Sequence, residues 1–207
     1  MKLQVAMDVL SIDAALELAS AVAEHVDILE LGTPLIKAAG LPAITAVKQA
    51  HPDKIVLADL KTMDAGGLEA KIAFDAGADL VTVLGVADDS TIAGAVSAAI
   101  AAGKGVVVDL IGVTDRVARA REARELGAEF VEFHAGLDEQ AKPGYSLTSL
   151  LTDGETAKVP FSVAGGVTTA TIAGVRRAGA DVAVVGSGIY SAADPGVAAR
   201  ALKAAIA

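Results

Sequence analysis

The segment Asp59-Leu60-Lys61-Thr62-Met63-Asp64 sets a lysine between two carboxylates directly after an apolar run. Asp59 and Lys61 are separated by one residue, so an extended backbone would send both side chains to the same side. A lysine held between Asp59 and Asp64 stays protonated. It is then suited to stabilising a negative oxygen rather than to forming a Schiff base. Glu30 and Asp59 are candidate oxygen ligands for Mg²⁺, which takes a few carboxylates plus water and substrate oxygens. Mn²⁺ accepts the same ligand type. The bland alternative is a row of surface ion pairs, and the position after a buried strand argues against it.

The other chemistry-bearing residues fall at comparable places. Asp8 and Asp109 close apolar runs, and so does His134, the natural general acid/base. His25 and His51 instead fall near helix ends that lead into strands, where they serve as C-terminal helix charges. Gly165-Gly166 is expected to open a helix after one strand, and Gly186-Ser187-Gly188 follows the next. Glycine lets a backbone approach a phosphate closely, and N–H groups at helix starts supply donors.

These positions need a scaffold that gathers strand ends. Short β-branched runs at Leu3–Asp8, Ile28–Leu31, Ile55–Asp59, Leu80–Val83, Gly105–Leu110, Phe130–His134, Phe161–Ala164 and Val182–Val185 read as strands. Between them lie helical stretches, at Ile12–His25, Leu41–Ala50, Leu68–Asp75, Thr91–Ala102, Arg116–Leu126, Leu147–Thr152 and Thr168–Arg177, with a last one at Pro195–Ile206. Gly77, Gly127 and Gly179 each end a helix just before a strand, as a C′ glycine does. Eight β-then-α units without a linker predict a single (β/α)₈ TIM barrel over residues 1–207. The main rival, an open doubly wound sheet, usually carries a glycine fingerprint in its first turn, and Met7-Asp8-Val9-Leu10 has none. In a barrel the C-terminal strand ends form the active-site mouth, and phosphate binds after strands seven and eight.

Composition narrows the function. The chain of 207 residues has no cysteine, which excludes disulfides and thiolate metal sites. A formal charge of −9 argues against nucleic acid as a partner. Apolar stretches are broken by charges before a membrane span is reached, and Asp8 interrupts any signal-peptide core. A cytoplasmic protein that does not engage membranes is the expectation.

Asp59–Asp64 resembles the Asp-x-Lys-x-x-Asp motif of the orotidine 5′-monophosphate decarboxylase superfamily. Together with Glu30–Lys37, Leu57–Asp64, Val81–Ala87 and His134–Gln140, it is similar in order and spacing to the 3-hexulose-6-phosphate synthase family. The resemblance implies an aldehyde-lyase that condenses formaldehyde with D-ribulose 5-phosphate through an enediolate, with Mg²⁺. It implies that Glu30 and Asp59 bind the metal, Lys61 stabilises the enediolate oxygen, His134 moves protons and Asp8 contacts substrate. Asp109 matches a strand-five carboxylate that would serve in acid/base chemistry or water positioning. Asp64 would reach the neighbouring site of a homodimer. The related 3-keto-L-gulonate-6-phosphate decarboxylases carry an arginine shortly after the strand-six histidine and another after the strand-eight glycine. Here Ala135-Gly136-Leu137 and Ser187 stand at those places. A catalytically silent barrel that only binds sugar phosphate is the third alternative.

Overall fold

In the computed structural model, which describes residues 1–206, eight parallel strands close on themselves in chain order. Ala207, the last residue of the expected domain, lies outside the described residues. The strands are β1 (Lys2–Met7), β2 (Ile28–Leu31), β3 (Ile55–Thr62), β4 (Leu80–Leu84), β5 (Gly105–Asp109), β6 (Phe130–His134), β7 (Phe161–Ala164) and β8 (Val182–Val185). Closure is made by β1 and β8, with Lys2 opposite Val182 and Val5 opposite Val185. The predicted TIM barrel is therefore the observed fold.

The helices outside are α1 (Ile12–Val22), α2 (Thr33–Ala39), α3 (Pro42–Ala50), α4 (Gly66–Asp75), α5 (Asp89–Ala102), α6 (Arg116–Glu125), α7 (Leu137–Gln140), α8 (Thr148–Ala157), α9 (Ile172–Arg177), α10 (Ser187–Tyr190) and α11 (Pro195–Ala204). Gly77, Gly127 and Gly179 each follow a helix with positive φ, as expected of C′ glycines. Helix α2 was not anticipated, although Pro34 in its first turn and Gly40 at its end are ordinary start and stop signals. The short α7 and α10 carry too few residues to show a helical period.

Strand alternation divides the core in two. On β6, Val131 and Phe133 point outward into the layer between strands and helices, where Phe133 meets Phe161 edge-on at 5.6 Å. Phe130 points inward with Ile28, Leu57, Leu80, Val107, Val182 and Val184, and these side chains fill the lower barrel. Above this apolar plug the inward positions turn polar. Gln4, Glu30, Asp59, Thr82, Asp109, Glu132 and Ser162, one from each of β1 to β7, are all buried. Burying so many polar groups is costly unless they are paired, which marks this end of the barrel as the place where stability gives way to function.

Candidate active site

Strand β3 carries the lysine, and its path corrects the simple extended reading. The strand does not stop at Asp59 but runs to Thr62, and its register against β4 shifts between Ala58 and Thr62. Lys61 lies in the left-handed region with φ 47°. That backbone costs a non-glycine residue on the order of 1–3 kcal/mol. Its surroundings fix it there. Lys61 N donates to Thr82 Oγ1 at 2.9 Å. One residue on, Thr62 Oγ1 donates to Glu69 Oε2 at 2.6 Å and ties the strand end to α4.

The lysine is not held between Asp59 and Asp64. Its Nζ donates to Asp59 Oδ2 at 2.9 Å and Oδ1 at 3.1 Å, and to Asp109 Oδ2 at 2.9 Å. Asp64 is exposed, and its Oδ1 accepts from Ala65 N at 2.7 Å. Asp59 is further fixed by Thr33 Oγ1 at 2.6 Å and Thr82 Oγ1 at 2.7 Å. Burial by itself would lower the pKa of Lys61, but the charges of Asp59 and Asp109 outweigh it and raise the pKa, so the ammonium persists.

Asp109 joins the lysine to the histidine. Its side chain is fully buried, and its oxygens lie 3.0 and 3.2 Å from His134 Nδ1. Ile111 N donates to Oδ1 at 2.9 Å. Burial pushes the Asp109 carboxyl up, but His134 and Lys61 more than offset this and hold it at about 2. Burial opposes charging of His134, while the bond to Asp109 and the charges of Asp109 and Glu132 raise its pKa. With Nδ1 facing a carboxylate, Nδ1 carries the proton and Nε2 is left as the ring nitrogen for chemistry.

Glu30 and Glu132 complete the polar end. Glu30 accepts from Gln4 Nε2 at 2.8 Å, and its pKa is pushed well up by burial and by the charges of Asp59 and Glu132. Gln4 Oε1 is buried with no protein partner. Glu132 accepts from Ser162 Oγ at 3.1 Å, and burial and Asp109 push its pKa up to about 7. Four carboxylates thus face one lysine and one histidine. A divalent cation at Glu30 and Asp59 fits that charge imbalance. Atoms of Asp109, Glu132 and His134 also lie within 4.8 Å of one another.

Asp8 stands just past β1, half-buried. Burial and the charge of Asp59 raise its pKa, with Lys61 and His134 acting against them. A side chain on Gly32 would overlap Asp8 Oδ1, so the bare backbone there gives the aspartate its place.

Both glycine turns lie at this mouth, but the first does not open a helix. Gly165 and Gly166 have φ 102° and 79°, and α9 begins only at Ile172. A Cβ on Gly165 would strike the Ala135 carbonyl, so β6 presses too close for any other residue. Tyr145 Oη donates to Gly165 O at 2.7 Å and steadies the turn. Gly186 precedes α10, which starts at Ser187 and includes Gly188; Tyr190 packs against Gly186.

Sequence reasoning missed Glu132, Thr33, Thr82, Gln4 and Ser162. The alternation of strand residues could have found Glu132, two before His134, and Thr82 in the centre of β4. A cavity of about 850 Å³ opens at the opposite end of the barrel around Lys2, Ile28, Ile55, Leu80 and Phe130. It contains none of these groups. No helix among the described residues is long and apolar enough to cross a membrane.

The chain matches the family described as orotidine 5′-phosphate decarboxylase / HUMPS over residues 1–202. It is 72% identical over 207 residues to a 3-hexulose-6-phosphate synthase of Mycobacterium gastri, covering 100% of each chain. A crystal structure of a 3-hexulose-6-phosphate synthase superposes with TM-score 0.99 at 73% identity, again over 100% of both chains. A 3-keto-L-gulonate-6-phosphate decarboxylase of Vibrio cholerae superposes with TM-score 0.88 at 28% identity, over 99% of this chain and 96% of the other.

Proposed function

The chain belongs to the orotidine 5′-phosphate decarboxylase / HUMPS family and is an aldehyde-lyase, and we propose that it condenses formaldehyde with D-ribulose 5-phosphate to D-arabino-hex-3-ulose 6-phosphate, and catalyses the reverse cleavage. The observation that carries this reading is the Asp109 carboxylate shared by Lys61 Nζ and His134 Nδ1. It sets a permanent cation and a proton-transfer group against one space, which is what proton removal beside a carbonyl requires.

The steps follow from those roles. His134 Nε2 removes a proton from the hydroxymethyl carbon next to the ketose carbonyl. The electron pair moves onto the carbonyl oxygen, and the Lys61 ammonium stabilises the enediolate charge. The same carbon then attacks formaldehyde, forming one C–C bond. The formaldehyde oxygen takes up the proton that His134 holds. Cleavage runs these events backwards. Asp109 holds both groups in register, and Asp8 orients substrate hydroxyls. Gly165, Gly166, Gly186, Ser187 and Gly188 offer backbone donors to the phosphate. Glu30 and Asp59 would hold Mg²⁺, or Mn²⁺, which supplies Lewis-acid stabilisation of negative oxygen when bound. One catalytic domain accounts for all of this, and the cytoplasm, where sugar phosphates are held, is its expected compartment.

A homodimer belongs to the same proposal. Met63, Leu68 and Ile72 are 54%, 64% and 41% exposed around Asp64 and along the outer side of α4. Leu68 and Ile72 are one helical turn apart and share a face. Covering them with a second copy would bring Asp64 towards the neighbouring site.

The test is formaldehyde consumption with and without a chelator. Consumption should require ribulose 5-phosphate and a divalent cation together. Release of CO₂ from 3-keto-L-gulonate 6-phosphate instead would transfer the chain to the decarboxylases. Sugar-phosphate binding with neither activity would make it a silent barrel.

A further inference from the structure

Glu132 has no part in the steps above, yet it is buried on the inner face of β6, two residues before His134. Its Oε1 lies 3.5 Å from His134 Nδ1, while Oε2 accepts from Ser162 Oγ at 3.1 Å. Glu132 and Ser162 are register partners on β6 and β7. The imidazole nitrogen is therefore flanked by two carboxylates, Asp109 from β5 and Glu132 from its own strand.

We propose that Glu132, anchored by Ser162, is a positioning residue for the proton-transferring histidine: it confines Nδ1 between two carboxylates and so keeps Nε2 turned to the substrate. A single carboxylate partner leaves an imidazole free to tilt about that one bond. A second carboxylate 3.5 Å from the same nitrogen restricts this tilt by charge attraction, and its negative charge favours the protonated ring. The groups facing Glu132 are His134 on its own strand, Asp109 on β5, Ser162 on β7, and across the interior Lys61, Asp59 and Glu30. Only His134 and Lys61 among them are cationic, and among the described residues the one ion pair of Glu132 is to His134, which Asp109 shares. A purely structural role would be met more cheaply by an apolar side chain at this position.

The inference rests on the synthase reading, and its test separates the two. Glu132→Gln keeps the shape and the bond to Ser162 but removes the charge. The chain has three histidines, so the His134 imidazole can be followed by nitrogen-edited NMR and identified by its loss in His134→Gln. Glu132→Gln is expected to lower kcat about tenfold or more, leave the KM for ribulose 5-phosphate within about threefold, and move the His134 titration midpoint to lower pH. An unchanged midpoint overturns the proposal, whatever happens to kcat. If Glu132→Gln fails to fold, Ser162→Ala decides: kcat should fall without a change in KM and be rescued by Ser162→Thr, and wild-type kcat in Ser162→Ala would refute the role. Should the wild-type enzyme itself not consume formaldehyde, the synthase reading falls, and the NMR midpoint still decides whether Glu132 acts on His134.

Discussion

Lys61 Nζ lies 2.9 Å from Asp109 Oδ2, although 48 residues separate them in the chain. The contact joins the end of β3 to the end of β5 across the barrel mouth. It also replaces the pairing with Asp64 that the local sequence favours.

Loss of that ammonium should be severe. Lys61→Ala is expected to lower kcat by on the order of 10²–10³-fold, as removal of an oxyanion-stabilising group does. It should also abolish exchange of the substrate proton next to the carbonyl, followed by NMR in D₂O. Exchange at the wild-type rate would show that Lys61 does not stabilise the enediolate.

Stability should depend on pH in a defined direction. The Glu132 carboxyl titrates near 7 in the fold against an ordinary 4.5, so the native state binds more protons between those values. Its contribution is complete below 4.5 and is lost as pH rises through 7. The raised pKa of His134 acts in the same sense. Asp109, held at about 2 against an ordinary 3.8, contributes above 3.8 and loses that as pH falls through 2. In metal-free buffer the Tm should therefore decline from about pH 5 to about pH 8, and Glu132→Gln should flatten the decline. Parallel curves for the two proteins would contradict this assignment.

The Tyr145 hydroxyl holds the Gly165 carbonyl from outside the turn. Tyr145→Phe removes one hydrogen bond, worth roughly 0.5–1.5 kcal/mol, and should raise the KM for ribulose 5-phosphate about 2- to 10-fold with little change in kcat. A fall in kcat at constant KM would place the tyrosine elsewhere in the cycle.

Asp64 can be tested by subunit mixing. If it serves the neighbouring site, Lys61→Ala and Asp64→Ala chains complement each other, because a mixed dimer contains one complete site. An equal mixture after subunit exchange should recover about a quarter of wild-type activity. No recovery would mean that Asp64 acts within its own chain. Leu68→Glu should separate the subunits, read by sedimentation.

The amino-acid sequence by itself determined the barrel, because period and punctuation are local. Strand alternation, helical spacing and the glycines at 77, 127 and 179 each act over a few residues. Once the barrel is recognised, the strand-end rule brings Asp8, Glu30, Asp59, Lys61, Asp109 and His134 to one mouth without coordinates. Only the tertiary structure decided which of them touch. Lys61 chose Asp109 over Asp64 because the register shift in β3 turns its backbone left-handed and aims Nζ inward. Glu132 gained its anchor because β6 lies between β5 and β7, which sets Asp109 and Ser162 opposite it in register. The Gly165-Gly166 turn proved to be shaped by the Ala135 carbonyl and Tyr145 rather than by a helix start. These are pairings between strands, and a linear pattern carries no term for the angle at which one strand end meets the next.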